Sequence, residues 1–238
     1  MRHVEPALFM RRLDPGGFRE KVARDPSSAI KLAGDFGAVL AAFHGRSPIV
    51  RTGTPVAERE AEHLSIANRS LERHSRSLAL RHAPRRMLGG VARRAERWLE
   101  ASRPLLSARA QVGCRVDGHG DLHVDNLHFL NGKVTLLDVQ PHRRYRINDV
   151  ASDLGRLAFE VHRLCGERAR SHAVHAYEHR SATVPAPLVS YFEAKSLLVD
   201  LSVLAKYRAQ RRPEPQRAAE LLEDVSSLCA RILALPQR

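Results

Sequence analysis

The most informative part of this sequence is His119-Gly120-Asp121-Leu122-His123-Val124-Asp125-Asn126. A β-branched and apolar run, Val134-Thr135-Leu136-Leu137, follows shortly afterwards and ends at Asp138. Asn131-Gly132 lies between these stretches, and this dipeptide readily adopts the positive φ angles of a two-residue hairpin turn. We therefore predict a β-hairpin that returns the chain and brings Asp138 close to Asn126.

Three side chains in this region have the chemistry that phosphoryl transfer requires. Asp121 lies on the predicted loop before the hairpin, where a carboxylate can accept the proton of a substrate hydroxyl. Asn126 and Asp138 offer hard oxygen ligands, which suit Mg²⁺ better than Zn²⁺. Kinase-type phosphoryl transfer uses an Asp, then an Asn, then a second Asp beyond a short hairpin, in this order. The pattern therefore predicts the base and metal ligands of such a site.

The rest of the chain is dominated by apolar residues at helical spacing. Predicted helices lie at about 27–44, 55–80, 85–101, from Asp149 onward, 168–181, 187–209 and 215–234. Pro104 is expected to end the third of these, and Val112 to Val116 is expected to form a short strand that leads into the His119 loop. The predicted fold class is α+β, mainly α-helical, with one small β-hairpin element that carries the catalytic and metal loops.

Bulk properties narrow the class of protein. No apolar stretch approaches the 18 or so residues of a membrane-spanning helix, and the residues at the N-terminus do not have the pattern of a signal peptide. The cysteines, Cys114, Cys165 and Cys229, are odd in number and widely spaced, which indicates reduced thiols. We therefore expect a cytoplasmic protein with no membrane partner.

The formal charge of +13 raises the question of an anionic partner. Arginines are scattered over the predicted helices and interleaved with Glu, as in Arg93-Arg94-Ala95-Glu96-Arg97, without an aromatic-interleaved stripe. The favoured interpretation is a solvated, Arg-rich surface. A basic pocket for an anionic ligand and a nucleic-acid-binding surface are the alternatives that the charge leaves open.

The motifs together resemble a known family. The stretch from His119 to Asn126, with Leu136-Leu137-Asp138 and Asn148-Asp149-Val150-Ala151-Ser152-Asp153-Leu154, looks like the aminoglycoside phosphotransferase (APH) family. The match is with its uncharacterised bacterial branch, whose members typically read HGDLHxxN, LxD and DVASDLA. The resemblance implies a protein-kinase-like fold with a small β-rich N-lobe and a helical C-lobe. It also implies that ATP and Mg²⁺ serve to phosphorylate a hydroxyl of a small molecule.

By this resemblance each motif residue has an expected role. Asp121 is the catalytic base, and Asn126 and Asp138 are Mg²⁺ ligands. Asp153 supports the catalytic loop by accepting backbone hydrogen bonds, and His119 is a structural residue of that loop. Nucleotide-binding and substrate-binding residues are not assigned, and antibiotic resistance does not follow from the fold.

The sequence departs from the family in its first part. The family pairs a strand Lys with the nucleotide phosphates, but the lysines before His119 are Lys21, after a Gly-Gly turn, and Lys31, in a predicted helix. We expect residues 1–13 to be a remnant of the inter-lobe linker and residues 14–238 to form the helical C-lobe, with its catalytic-loop region at 112–154. The explanations left open are a truncated or misassigned start, an N-lobe on a separate chain, and a degenerate protein.

Other functions compete with the enzyme. A non-catalytic kinase-like binding or regulatory module is the second hypothesis, and a basic nucleic-acid-binding helical protein is the third. His119, His123 and His128 could instead form a transition-metal site. Asp149 and Asp153 are favoured as structural carboxylates near a helix N-terminus, and Arg143-Arg144-Tyr145-Arg146 is a solvated loop or a contact for substrate phosphate.

Overall fold

The computed structural model of this protein describes residues 17–80, 82–130, 133–210 and 216–235. The expected linker at 1–13 and the predicted Asn131-Gly132 turn lie outside these ranges. The helices are α1 (Phe18–Arg24), α2 (Ala29–His44), α3 (Val56–His74), α4 (His82–Gln111), α5 (Arg143–Arg146), α6 (Val150–Glu178), α7 (Ala186–Ala209) and α8 (Gln216–Ala234). The strands are β1 (Arg115–Asp117), β2 (Leu127–Leu130), β3 (Lys133–Leu136) and β4 (Ile147–Asp149).

Helix α7 is the centre of the bundle. Its apolar residues occupy every side of the helix, and a helix of this kind is stable only when other elements surround it. Helices α3, α4, α6 and α8 pack around it. Tyr191 and Phe192 on α7 are fully buried in this core.

Helices α2 and α6 form the most extensive helix pair in the described structure. They approach closely at Gly37, where a Cβ atom would lie 2.1 Å from the carbonyl oxygen of Ala173. Only glycine permits this distance without a shift of the backbone. The pairing places the end of α2 against α6 and so brings His44 to Asp153.

In the described ranges, two small antiparallel sheets lie beside the helices. Strands β2 and β3 pair with Leu127 opposite Leu136, which confirms the predicted hairpin. Strands β1 and β4 pair with Arg115 opposite Asp149, and this second sheet was not predicted. The predicted α+β class, mainly helical with a small hairpin, is confirmed.

Several of the predicted boundaries are wrong. The helix predicted at 55–80 ends at His74. Helix α4 continues through Pro104 to Gln111, because buried residues on both sides of the proline hold the helix against the core. The strand expected from Val112 begins instead at Arg115, since Val112 still donates its N–H to the carbonyl of Ala108 and Gly113 ends the helix with a φ of 94°.

Another boundary is confirmed. The break predicted between the helix that begins at Asp149 and the helix at 168–181 is a kink at Gly166, whose φ of 80° and ψ of −177° are not helical. None of the helices in the described ranges is long and apolar enough to cross a membrane.

The three cysteines are free thiols. Burial raises the pKa of Cys165 to about 11 and that of Cys229 to about 12. Both thiols therefore stay protonated near neutral pH, and they fill space in the core as small apolar groups.

Candidate functional site

The loop between β1 and β2 is held by one buried carboxylate. Asp153, near the start of α6, accepts hydrogen bonds from the backbone N–H groups of His119, at 2.7 Å, and Gly120, at 2.9 Å. Gly120 has a φ of 78°, and a Cβ atom there would lie 2.8 Å from the Cα of Arg146. The loop can therefore reach Asp153 only with glycine at this position.

His44 completes the surroundings of Asp153. Its Nε2 lies 3.0 Å from Asp153 Oδ2, and its Nδ1 lies 2.8 Å from the hydroxyl of Tyr177. A carboxylate can only accept, so Nε2 of His44 carries a proton and donates it to Asp153. Burial alone would raise the pKa of Asp153, but the hydrogen bonds from His44 and the His119 backbone outweigh it and lower that pKa. Sequence reasoning missed both His44 and Tyr177.

Buried carboxylates with lowered pKa values make the fold sensitive to acid. Glu60 resembles Asp153 in this respect: burial alone would raise its pKa, and the pairing with Lys195 and the hydrogen bond from Asn148 lower it. The folded pKa values lie below the ordinary values of 3.8 for Asp and 4.5 for Glu. Their stabilising effect is therefore present above the ordinary value and is lost as the pH falls through the folded pKa.

We expect the free energy of unfolding, measured in urea at a series of pH values, to fall steeply below about pH 4. The Asp153→Asn variant should be less stable at neutral pH but should lose less stability between pH 5 and pH 3. An acid limb that is identical in the variant and the natural protein would show that Asp153 does not contribute to the pH dependence.

His119 joins the loop to the end of the hairpin. Its side chain is fully buried, and its Nε2 lies 2.7 Å from the carbonyl oxygen of Leu137, to which it donates. Its own carbonyl oxygen accepts from the N–H of Gln140 at 3.0 Å. These two bonds flank Asp138 on either side, so the position of Asp138 relative to the loop is set by His119.

Asn126 is tied to the same loop through its amide. Its Nδ2 donates to the backbone oxygen of Asp121 at 2.9 Å and lies 3.2 Å from Nε2 of His123. Its backbone oxygen accepts from the N–H of Leu137, the residue before Asp138, at 2.9 Å. The structure thus brings Asp121, Asn126 and Asp138 together, although they are up to 17 positions apart in sequence.

The oxygens of Asn126 and Asp138 fit a hard cation. Both amide hydrogens of Asn126 are directed to the loop, and among the described residues no donor is bonded to its Oδ1. Asp138 is exposed, with a φ of 51° that few residues other than glycine, Asn and Asp adopt readily. An amide oxygen and a carboxylate on adjoining chain segments are ligands that suit Mg²⁺.

The carboxylate of Asp121 opens onto a polar cleft. Its side chain is 49% exposed. The cleft beside it is lined by Asp153 and by residues of α6 and α7 that the sequence did not single out, among them Arg156 and Lys195. Arg156 bonds to Asp200 at 2.9 Å. Lys195 bonds to Glu60 at 2.7 Å. The walls of the cleft therefore carry paired charges of both signs.

His119, His123 and His128, all among the described residues, do not form a shared metal site. His119 and His123 turn to different partners, Leu137 and Asn126, and His128 lies on β2 opposite Gly17. In the part of the chain that the structure describes, no group of three or more His, Cys, Asp or Glu side chains is arranged to hold a metal ion. The geometry therefore disfavours the transition-metal alternative.

The early lysines and the Arg-rich loop have other partners. Lys21, on α1, lies 4.3 Å above the ring of Phe129. Lys31, on α2, pairs with Asp35 at 2.9 Å. The segment predicted as an Arg-rich loop is instead the short helix α5, and it is held by Asp117, which bonds to Arg143 at 3.0 Å and to Arg146 at 2.6 Å.

The chain is similar in sequence to known proteins and to one protein family. Three curated relatives are each 28% identical over 222 residues: the uncharacterized proteins Rv2004c and MT2060, from two strains of Mycobacterium tuberculosis, and Mb2027c from Mycobacterium bovis. The alignment covers 89% of this chain and 43% of each relative, so the chain spans less than half the length of these proteins. The family model of the APH phosphotransferase enzyme family matches residues 2–188. The chain therefore belongs to the APH phosphotransferase enzyme family.

Proposed function

We propose that this protein uses ATP and Mg²⁺ to phosphorylate a hydroxyl group of a small molecule. The observation that carries the proposal is the hydrogen-bonded arrangement of Asp121, Asn126 and Asp138. The side-chain amide of Asn126 donates to the backbone oxygen of Asp121, and the backbone oxygen of Asn126 accepts from the N–H of Leu137, the residue before Asp138. Family membership supports phosphoryl transfer as the reaction class.

Asp121 acts on the substrate in this proposal. The substrate hydroxyl lies in the cleft beside α6 and α7 and donates its proton to the Asp121 carboxylate. The hydroxyl oxygen forms a bond to the γ-phosphorus as the bond from that phosphorus to the departing ADP oxygen breaks. A carboxylate in this role typically contributes 10²–10⁴-fold to the rate.

Asn126 and Asp138 would bind the metal ion. Asp153 and His119 position the loop that contains Asp121 and the chain around Asp138. When bound, Mg²⁺ neutralises charge on the phosphate oxygens. Asp153 fixes the loop before Asp121 through two backbone hydrogen bonds. His119 connects that loop to the chain on both sides of Asp138.

The substrate that fits this cleft is polar. Arg156, Lys195 and Asp200 line it, with Ser196 beside them, so a molecule with several hydroxyls finds donors and acceptors there. We also propose a cytoplasmic location, because free thiols are typical of reducing compartments.

A separate N-lobe chain is part of the proposal. Lys21 and Lys31 are directed to Phe129 and Asp35, and neither is the cation that this proposal places beside the nucleotide phosphates. A β-rich lobe with a strand Lys would supply it. Its addition should tighten nucleotide binding to this chain.

Calorimetry of Mg²⁺-ATP binding tests the proposed metal ligands. We expect Asp138→Ala to weaken binding by at least about 10–100-fold, because even partners of metal ligands have effects of this size when removed. Asp125→Ala is the matched control, since it removes a half-exposed carboxylate from the same loop. No Mg²⁺-ATP binding by the natural chain, or equal binding by Asp138→Ala and the natural chain, would contradict the proposal.

A further inference from the structure

The structure has a second cleft, away from Asp121, and its charged side chains take no part in the proposed phosphotransferase site. It has a volume of about 470 Å³ and lies between the N-terminus of α3 and the C-terminal half of α4. We infer that this cleft binds a small molecule through a phosphate-type oxyanion. Three arginines, Arg51, Arg103 and Arg115, line it.

Arg115 is the central observation. Arg115 is only 4% exposed, yet its Nε has no hydrogen-bond partner among the described residues. The one described hydrogen bond of its side chain is a long one, 3.4 Å, from a terminal nitrogen to the carbonyl oxygen of Gly53. No acidic side chain in the described ranges forms an ion pair with it. Arg109, which is 7% exposed, instead has both carboxylate oxygens of Asp149 within 2.9 Å.

A buried arginine without a counter-ion is unfavourable. Removal of a guanidinium from water is compensated when it meets a carboxylate or phosphate with matching geometry. Burial, and then repulsion from Arg59, lowers the pKa of Arg115. Arg59 cannot relieve this repulsion, because its guanidinium donates to the carbonyl oxygens of Thr54, Arg144 and Ile147. A bound anion would supply the missing negative charge.

The start of α3 adds donors to the same cleft. Pro55, the residue before this 19-residue helix, makes no capping hydrogen bond through its side chain. The N–H groups of Val56 and Ala57 therefore lie uncapped at the positive end of the helix dipole, and both residues line the cleft. Backbone donors at a helix N-terminus are a common binding site for phosphate groups.

Acidic side chains near the cleft leave this charge largely intact. Glu58 lines the cleft but is exposed in the first turn of α3. Glu100 pairs with Arg103 at 2.6 Å on the surface, so Arg103 contributes less than the others. Arg51 bonds only to the carbonyl oxygen of Gln111 among the described residues. The ligand class is therefore an oxyanion with several acceptor oxygens.

This cleft is distinct from the proposed phosphotransferase site. The residues that line it are not among those that line the cleft beside Asp121. The inference therefore does not depend on the proposed activity. Strand β1 begins at Arg115, in this cleft, and ends two residues before His119.

Titration with inorganic phosphate, at constant ionic strength maintained with chloride, tests the inference. We expect phosphate to raise the melting temperature of the natural protein. Arg115→Met should weaken phosphate binding by about tenfold or more, because charge-assisted hydrogen bonds are lost. Without phosphate, the variant should be at least as stable as the natural protein. If Arg115 served only a structural role, its removal would instead lower the stability of the protein.

Two further variants keep the test decisive. Arg51→Gln changes an exposed residue and should weaken phosphate binding by a few-fold, even if Arg115→Met does not fold. Arg97→Gln removes the same charge from an exposed position on α4 outside the cleft and is the matched control. Equal binding by the Arg51 variant and the natural protein, or an equal loss in the Arg97 control, would overturn the inference.

Asp121→Asn separates this cleft from the proposed phosphotransferase site. It should bind phosphate as the natural protein does. A phosphate affinity that changes with Asp121→Asn but not with Arg115→Met would assign the anion to the other cleft and contradict the proposal. A phosphate monoester such as glycerol phosphate should bind at least as well as inorganic phosphate if the ligand is an organic molecule, and more weakly if the site takes the free ion.

Discussion

Replacement of Asp121 by Asn is expected to lower kcat by about 10²–10⁴-fold, because an amide cannot accept the proton of the substrate hydroxyl. Nucleotide affinity should change little, since the substitution leaves Asn126 and Asp138 in place. The fold should also be unaffected. The Asp121 side chain is half-exposed, and the contact to Asn126 uses its backbone oxygen.

The measurement is ADP release in the presence of a panel of hydroxylated small molecules, with circular dichroism to monitor the fold. Asp125→Asn is the matched control, because it removes a carboxylate that is also half-exposed and lies in the same loop. Its rate should stay close to that of the natural protein. Equal rates for the Asp121 and Asp125 variants would exclude Asp121 as the base.

Asp149→Ala is expected to lower the free energy of unfolding by about 3–5 kcal/mol, since it leaves a buried charge without its partner. Asp149 is 2% exposed, and its oxygens lie 2.8 and 2.9 Å from Nε and a terminal nitrogen of Arg109. One of the same oxygens also accepts from the N–H of Ala151 at the start of α6. The substitution therefore removes an ion pair and a helix cap together.

Urea unfolding of the single and double variants measures the two contributions. Arg109→Met combined with Asp149→Ala should be less destabilised than the sum of the single changes, because the double variant leaves no unpaired charge. Asp35→Ala, which breaks the exposed pair with Lys31, is the control and should change stability by less than about 1 kcal/mol. If Asp149→Ala lowers stability by only about 1 kcal/mol, the carboxylate acts as a helix cap alone.

Local patterns predicted much of the candidate site. The hairpin was predicted because Asn131-Gly132 favours a tight turn, and the paired strands on either side confirm it. Asp149 was favoured as a structural carboxylate near a helix N-terminus, and it caps α6. The roles of Asp121, Asn126 and Asp138 as base and metal ligands stay predictions, although the structure places these residues together.

The partners of the buried charges could not be predicted. His44 and Asp153 are 109 positions apart, and His44 and Tyr177 are 133 apart. No local periodicity relates such residues, because their contact depends on the close packing of α2 against α6 at Gly37. The same holds for Pro104, where burial of the helix on both sides outweighs the missing N–H.

By itself, the sequence determined the fold class, the order of the motif residues and the hairpin between Asn126 and Asp138, since these follow from the turn, helix and strand preferences of neighbouring residues. Only the tertiary structure decided which buried charges are paired. Arg109 and Arg115 are six positions apart and almost equally buried, yet only Arg109 meets a carboxylate. The difference arises because helices and strands that are distant in sequence pack together, and this packing places Asp149 beside Arg109 and a cleft beside Arg115.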